Sequence, residues 1–186
     1  MNTVDEAMAA FLQRADEEGL IEVAYAPIDT PVGPMQVAAT PDGLVKLELH
    51  AHDGFADDLA ARLSPRVIEH AAKLDAIRRQ LDEYFDGKRT EFDLPIDWRL
   101  SHGFRLVALQ RLFADVRYGR TVSYKQLAAM AGNERASRAV GSAMATNPVP
   151  IVVPCHRVLD SAGRLHGYGG GLPMKEALLR LEGALL

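Results

Sequence analysis

Apolar side chains first recur at helical spacing: Val4, Met8, Phe11, Leu12 and Ala15 mark one face of a helix over residues 4–18. Residues 21–27, 34–40 and 43–50 alternate or run apolar between Pro and Gly breaks, which predicts a short antiparallel meander. Pro41, Asp42 and Gly43 supply one of its turns, Pro by presetting φ and Gly by accepting positive φ. Over residues 66–86, Leu74, Ile77, Leu81 and Phe85 share a face, so an amphipathic helix is expected there, ended by Gly87. Residues 89–95 read as one more strand. Beyond residues 96–102 the pattern turns helical. Phe104, Val107, Ala108, Leu112 and Val116 predict one helix. Ser123 and Gln126 form a capping-box pattern that opens a second, carrying Leu127 and Met130 and stopping at Gly132. A third helix runs from about Glu134 to Ala145, ended by Asn147 and Pro148, and a last one runs from Pro173 to Gly183. Two short helices joined by a Gly-containing turn fit a helix-turn-helix. The chain is therefore expected to be mixed α/β (α+β), with an α/β domain over residues 1–97 and a helical domain over 98–186. Trp98, at that boundary, is expected to anchor one part on the other.

Charge divides at the same place. The net charge of −4 combines nine Lys/Arg against twenty Asp/Glu in residues 1–97 with twelve against five in residues 98–186. A basic half on an acidic chain suits an anionic partner such as nucleic acid; the alternative is charge clustered on solvated faces. The single cysteine excludes an intrachain disulfide and points to a reducing cytoplasm. No apolar run approaches the roughly 20 residues of a membrane span, and the acidic N-terminus does not read as a secretory signal.

The third helix carries Ala136, Ser137, Ala139, Gly141, Ser142, Ala143 and Ala145. Such a surface lets a backbone approach closely, either to a neighbouring helix or, with Arg135 and Arg138 beside it, to phosphates and a groove. Pro148, Pro150 and Pro154 stiffen the approach to Cys155, and Ile151-Val152-Val153 reads as a buried segment that fixes it in place. His156 and Arg157 follow directly; cations lower a thiol pKa, and His is the usual base beside a nucleophile. The alternative for a lone Cys is a small buried hydrophobe. Residues 166–171 form a glycine-rich loop without the Gly-Lys-Ser/Thr of a phosphate loop. Glu182 stands at the C-terminal end of the last helix, where the dipole disfavours an anion, so it either has another partner, such as a histidine, or is solvated.

Together these residues resemble the O6-alkylguanine-DNA alkyltransferase family. The resemblance is continuous from Phe104 to Gly183, through the sequences YGRTVSY at 118–124, RAVG at 138–141, NPVPIVVPCHRV at 147–158, GYGGG at 167–171, Lys175 and LEG at 181–183. Residues 1–97 match only in general layout. It implies a ribonuclease-H-like N-terminal domain and a C-terminal domain with a winged-helix-like helix-turn-helix that binds the minor groove of double-stranded alkylated DNA. In DNA binding it implies roles for Arg138, filling the space left by a flipped guanine, and for Arg135, Ala139, Ser142 and Ser123. It implies that Cys155 takes the alkyl group irreversibly from O6-alkylguanine, and also from O4-alkylthymine. His156, backed by Glu182 and acting through a water, removes the thiol proton, Tyr124 protonates the leaving guanine, and Asn147 is the hinge of the active-site turn. Val158, Tyr168, Gly169, Lys175 and Met144 would form the substrate pocket, with no cofactor and a monomeric protein. Gly169 stands where some relatives have Ser or Ala, so a side-chain bond to the lesion oxygen is missing. Some relatives bind zinc through N-terminal cysteines; here only His50, His52 and His70 remain for that, and no metal is expected. Two other functions stay open at this point: a DNA-binding sensor that performs no chemistry, and a cysteine hydrolase.

Overall fold

The protein is represented by a computed structural model that describes residues 3–185; the side chains of residues 3–5, Val4 among them, lie outside the described residues. After helix α1 (Thr3–Glu17), strands β1 (Val23–Ile28), β2 (Met35–Thr40) and β3 (Gly43–Glu48) form the expected antiparallel meander. Gly43 has φ of 134°, and a Cβ there would stand 2.2 Å from the Pro95 carbonyl oxygen, so only glycine fits this turn.

The sheet extends further than the pattern suggests. Helix α2 (Phe55–Arg62) leads to β4 (Val67–Glu69), which pairs in parallel with β1 to give the order β3-β2-β1-β4. A parallel neighbour requires a crossover, and α2 supplies it. Phe55 and Leu59 cover one face of the sheet beside Val23, Ala38 and Val45. The other face carries Ala24, Val37, Leu44 and Leu47 in the main core with Ile77, Leu81 and Tyr84 of helix α3 (Asp75–Phe85). Burial on both faces leaves residues 44–47 of β3 buried without a break, Lys46 among them.

Two local expectations are corrected. Residues 66–86 do not form one helix: β-branched Val67 and Ile68 join the sheet, a 3-10 turn spans Ala71–Leu74, and α3 follows. Residues 89–95 form no strand. The Gln80 side chain donates to the Asp93 carbonyl at 2.9 Å and accepts from its N–H at 2.8 Å, so side-chain bonds replace a ladder.

The C-terminal part packs helices α4 (Gly103–Asp115), α5 (Tyr124–Met130) and α6 (Ser137–Ala145) against one another, with Trp98 edge-on to Phe113. Two-residue strands β5 (Val122–Ser123) and β6 (Val158–Leu159) pair in parallel, and α7 (Gly171–Leu181) closes the chain. The capping box forms as expected: Ser123 Oγ accepts from the Gln126 N–H at 3.1 Å, and Gln126 Oε1 accepts from the Ser123 N–H at 2.7 Å. Helix α6 starts later than residue 134, because Asn133 Oδ1 accepts from the Arg135 N–H at 3.2 Å and holds a turn there. Among the described residues no helix is long and apolar enough to cross a membrane.

Candidate active site

Cys155 sits at the start of a single 3-10 turn, Cys155–Arg157, after a tightly bonded loop. Asn147 braces that loop: its Nδ2 donates to the Val153 carbonyl at 2.8 Å, and its Oδ1 accepts from the Val149 N–H at 3.1 Å. Residues 151–153 are buried as expected, but they turn sharply. Ile151 adopts φ of 71°, rare for a β-branched residue and a mark of local strain held by its surroundings.

His156 is wholly buried. Its Nε2 lies 2.8 Å from Glu182 Oε1, while Nδ1 has no partner in the protein. A carboxylate only accepts, so Nε2 carries the hydrogen and Nδ1 is the basic atom. Burial pushes the His156 pKa down, against the pull of Glu182, and Arg157 and Lys175 push it the same way as burial. The ring is therefore neutral and able to accept a proton.

Arg157 departs from expectation. Its guanidinium turns away from the thiol to grip Glu182, with Nε 2.8 Å from Oε2 and Nη2 3.0 Å from Oε1, and donates through Nη1 to the Val116 carbonyl at 2.6 Å. Cys155 is instead flanked by Asn147 and Lys175, which favour the thiolate, but burial dominates and pushes the thiol pKa up. It is a neutral thiol at rest. Glu182, just past the end of α7, is buried; burial would raise its pKa, yet the bonds from His156 and Arg157 hold it down to about 2. A third donor comes from the sheet part: Tyr84 Oη donates to Glu182 Oε1 at 2.7 Å.

Tyr124, Arg138, Gly141, Met144, Cys155 and Tyr168 line a cavity of about 640 Å³. Burial raises the Tyr124 pKa, as do Cys155 and Asp160, so its hydroxyl keeps its proton. Lys175 Nζ donates to the carbonyls of Val158 at 2.7 Å and His166 at 2.8 Å, tying the glycine loop to the strand below the cysteine. Gly169 lies on the wall, where an added Cβ would meet only Leu49 Cδ1, at 3.7 Å. On α6, Val140, Ala143 and Met144 face inward, while Arg138, Ala139 and Ser142, with Arg135 just before the helix, are exposed. A Cβ at Gly141 would meet nothing within 4 Å, so packing on a neighbouring helix does not require glycine there. Among the described residues no three His, Cys, Asp or Glu side chains are placed to hold a metal; His52 stands edge-on to Phe55.

Arg157 and Tyr84 both join the site through Glu182, whereas the sequence placed Arg157 beside the thiol and gave Tyr84 no part in it. Tyr84 carried a signal: Ile77, Leu81 and Tyr84 follow the i, i+4, i+7 spacing of the buried stripe, and a buried tyrosine needs a partner for its hydroxyl.

Two family models match the chain: 6-O-methylguanine DNA methyltransferase, ribonuclease-like domain, over residues 23–98, and the DNA binding domain of the same family over residues 107–184. Helix α1 lies outside both. The methylated-DNA–protein-cysteine methyltransferase of Mycolicibacterium paratuberculosis is 38% identical over 160 residues, spanning 86% of this chain and 92% of the relative. The human protein of that name is 36% identical over 169 residues, spanning 87% of this chain and 81% of the relative. A crystal structure of Mycobacterium tuberculosis OGT in complex with DNA matches with a TM-score of 0.74 at 36% identity, covering 87% of this chain and 93% of that one. The fold sets a buried Cys-His-Glu cluster beside a helix-turn-helix. The chain belongs to the 6-O-methylguanine DNA methyltransferase family.

Proposed function

We propose that this protein repairs DNA as a methylated-DNA–protein-cysteine methyltransferase, moving the alkyl group of O6-alkylguanine, and of O4-alkylthymine, from duplex DNA to Cys155. One observation carries the reading: the only cysteine opens onto the Tyr124–Arg138 cavity, beside a neutral His156 whose free ring atom is Nδ1. Residues 1–97 form a domain that supports the site, and residues 98–186 the domain that binds DNA and reacts. The protein acts as a monomer in the cytoplasm. The exposed side of α6, with Arg135, Arg138, Ala139 and Ser142, enters the minor groove beside Ser123. Arg138 fills the place of the extruded base, whose exocyclic oxygen is unreachable inside a duplex.

The chemistry follows from the proton positions. His156 Nδ1 takes the Cys155 proton through a bridging water as the sulfur attacks the alkyl carbon. The carbon–O6 bond breaks, and the electron pair passes into the guanine ring, which takes a proton from the Tyr124 hydroxyl. The Tyr124 phenolate regains a proton from the His156 imidazolium by way of solvent. Cys155 ends as a thioether that no group in the site can cleave, so one molecule repairs one lesion. Val158, Met144, Tyr168, Gly169 and Lys175 shape the base pocket.

Stoichiometry tests this reading. With excess O6-methylguanine duplex, repaired lesions should plateau at one per protein molecule. Zero repair would support a sensor, and continued turnover a hydrolase; either outcome removes the proposal.

A further inference from the structure

The active-site carboxylate is not served by the C-terminal part alone. Tyr84, on α3 beneath the sheet, is 0% exposed and reaches across to Glu182 Oε1, the same oxygen that receives His156 Nε2. That oxygen accepts from three donors: the Tyr84 hydroxyl at 2.7 Å, His156 Nε2 at 2.8 Å and Arg157 Nη2 at 3.0 Å. The Tyr84 ring is itself fixed, packed against Phe85, Phe92 and Tyr118 at centroid distances of 5.3, 5.3 and 6.1 Å.

A buried carboxylate beside a histidine creates a conflict. It orients the ring and fixes the tautomer, but it also favours the imidazolium, which cannot take a proton from a thiol. The conflict eases if other donors draw charge from the same oxygen. Arg157 does so with a full charge. Tyr84 does so with a neutral hydroxyl, which burial and the neighbouring carboxylate keep protonated.

We infer that Tyr84 is a positioning residue for alkyl transfer: its hydroxyl fixes Glu182 Oε1 against His156 Nε2 and shares that oxygen's negative charge, so His156 stays available as the base. The N-terminal part thereby acts on the rate of a reaction carried out in the C-terminal part. The inference rests on the reading of Cys155 as alkyl acceptor and His156 as its base. The groups facing His156 are Glu182 and Lys175 from α7 and its end, Arg157 and Cys155 from its own turn, and Tyr168 from the glycine loop; Tyr84 acts on it only through Glu182.

Tyr84→Phe keeps the ring and deletes the hydroxyl. In the full-length chain, single-turnover transfer from O6-methylguanine duplex is measured between about pH 5.5 and 9, with His156 titrated in parallel by NMR. Glu182 with one donor fewer favours imidazolium, so the acidic limb of the rate profile and the His156 titration should both move upward, by about half a pH unit or more. That displacement costs at least about threefold in rate on the acidic limb and little at alkaline pH, since one unit is tenfold in the fraction of free base. In a Glu182→Gln background the same substitution should produce no displacement. A rate reduced equally at every pH, an unmoved His156 titration, or a displacement that persists without the carboxylate overturns the inference. Failure of the unaltered protein to become methylated strikes the proposed function instead, and is seen before any variant is made.

Discussion

Burial and pairing oppose each other at Glu182, and pairing wins. The side chain is out of solvent, yet its pKa falls from 4.5 to about 2 because His156 and Arg157 together donate three hydrogen bonds to it. A folded-state pKa below the unfolded value stabilises the protein above the unfolded pKa, and that contribution is lost as pH falls toward the folded value. For Glu182 this amounts to on the order of 3 kcal/mol, lost between about pH 4.5 and 2. His156, depressed by burial, has the same sign, and its loss begins as pH falls below 6.5. Urea unfolding at pH 7, 4.5 and 3 should show stability falling in that order, and Glu182→Gln should be less stable at pH 7 with a flatter dependence below 4.5. A stability that rises on acidification would contradict the assigned partners.

At the scale of elements, the helix-turn-helix presents two kinds of surface on one short helix. Val140, Ala143 and Met144 bind α6 to the core, while Arg138 stands exposed and, among the described residues, has no ion-pair partner. An arginine that offsets the loss of stacking matters only when a base must leave a duplex, a cost of a few kcal/mol. Arg138→Ala should therefore slow transfer from duplex O6-methylguanine by about tenfold or more, and leave reaction with free O6-benzylguanine within about twofold. Equal losses on both substrates would remove the intercalating role. What was legible in the sequence at this scale follows the range of the interactions. The capping box of α5 was visible because its partners lie within one turn. The parallel pairing of β4 was not, because Val67 is told from a helix residue only by its partner Val23, far away in the chain. Helix α2 was missed because Phe55 and Leu59 alone bury its face and leave almost no period to read.

At the scale of the molecule, the acidic sheet part and the basic helical part meet at the chemistry. The Leu47 N–H of β3 donates to the Pro148 carbonyl at 2.8 Å, beside the loop that Asn147 braces, and Tyr84 reaches Glu182. Cys155, His156 and Glu182 were legible as a set because their motifs resemble one family's. Arg157 was read as a neighbour of the thiol because it follows in sequence, whereas the 3-10 turn points it to Glu182. Sequence adjacency says little about direction in so tight a turn. The charge asymmetry was visible from composition alone, and it belongs with a DNA binding domain over residues 107–184.

The central claim concerns where the alkyl group comes to rest. After incubation with O6-methylguanine duplex and proteolysis, peptide mass mapping should find one added methyl, confined to Cys155, with none on a Cys155→Ser protein. A peptide containing Cys155 that stays at its unmodified mass while the lesion disappears from the DNA would contradict the account.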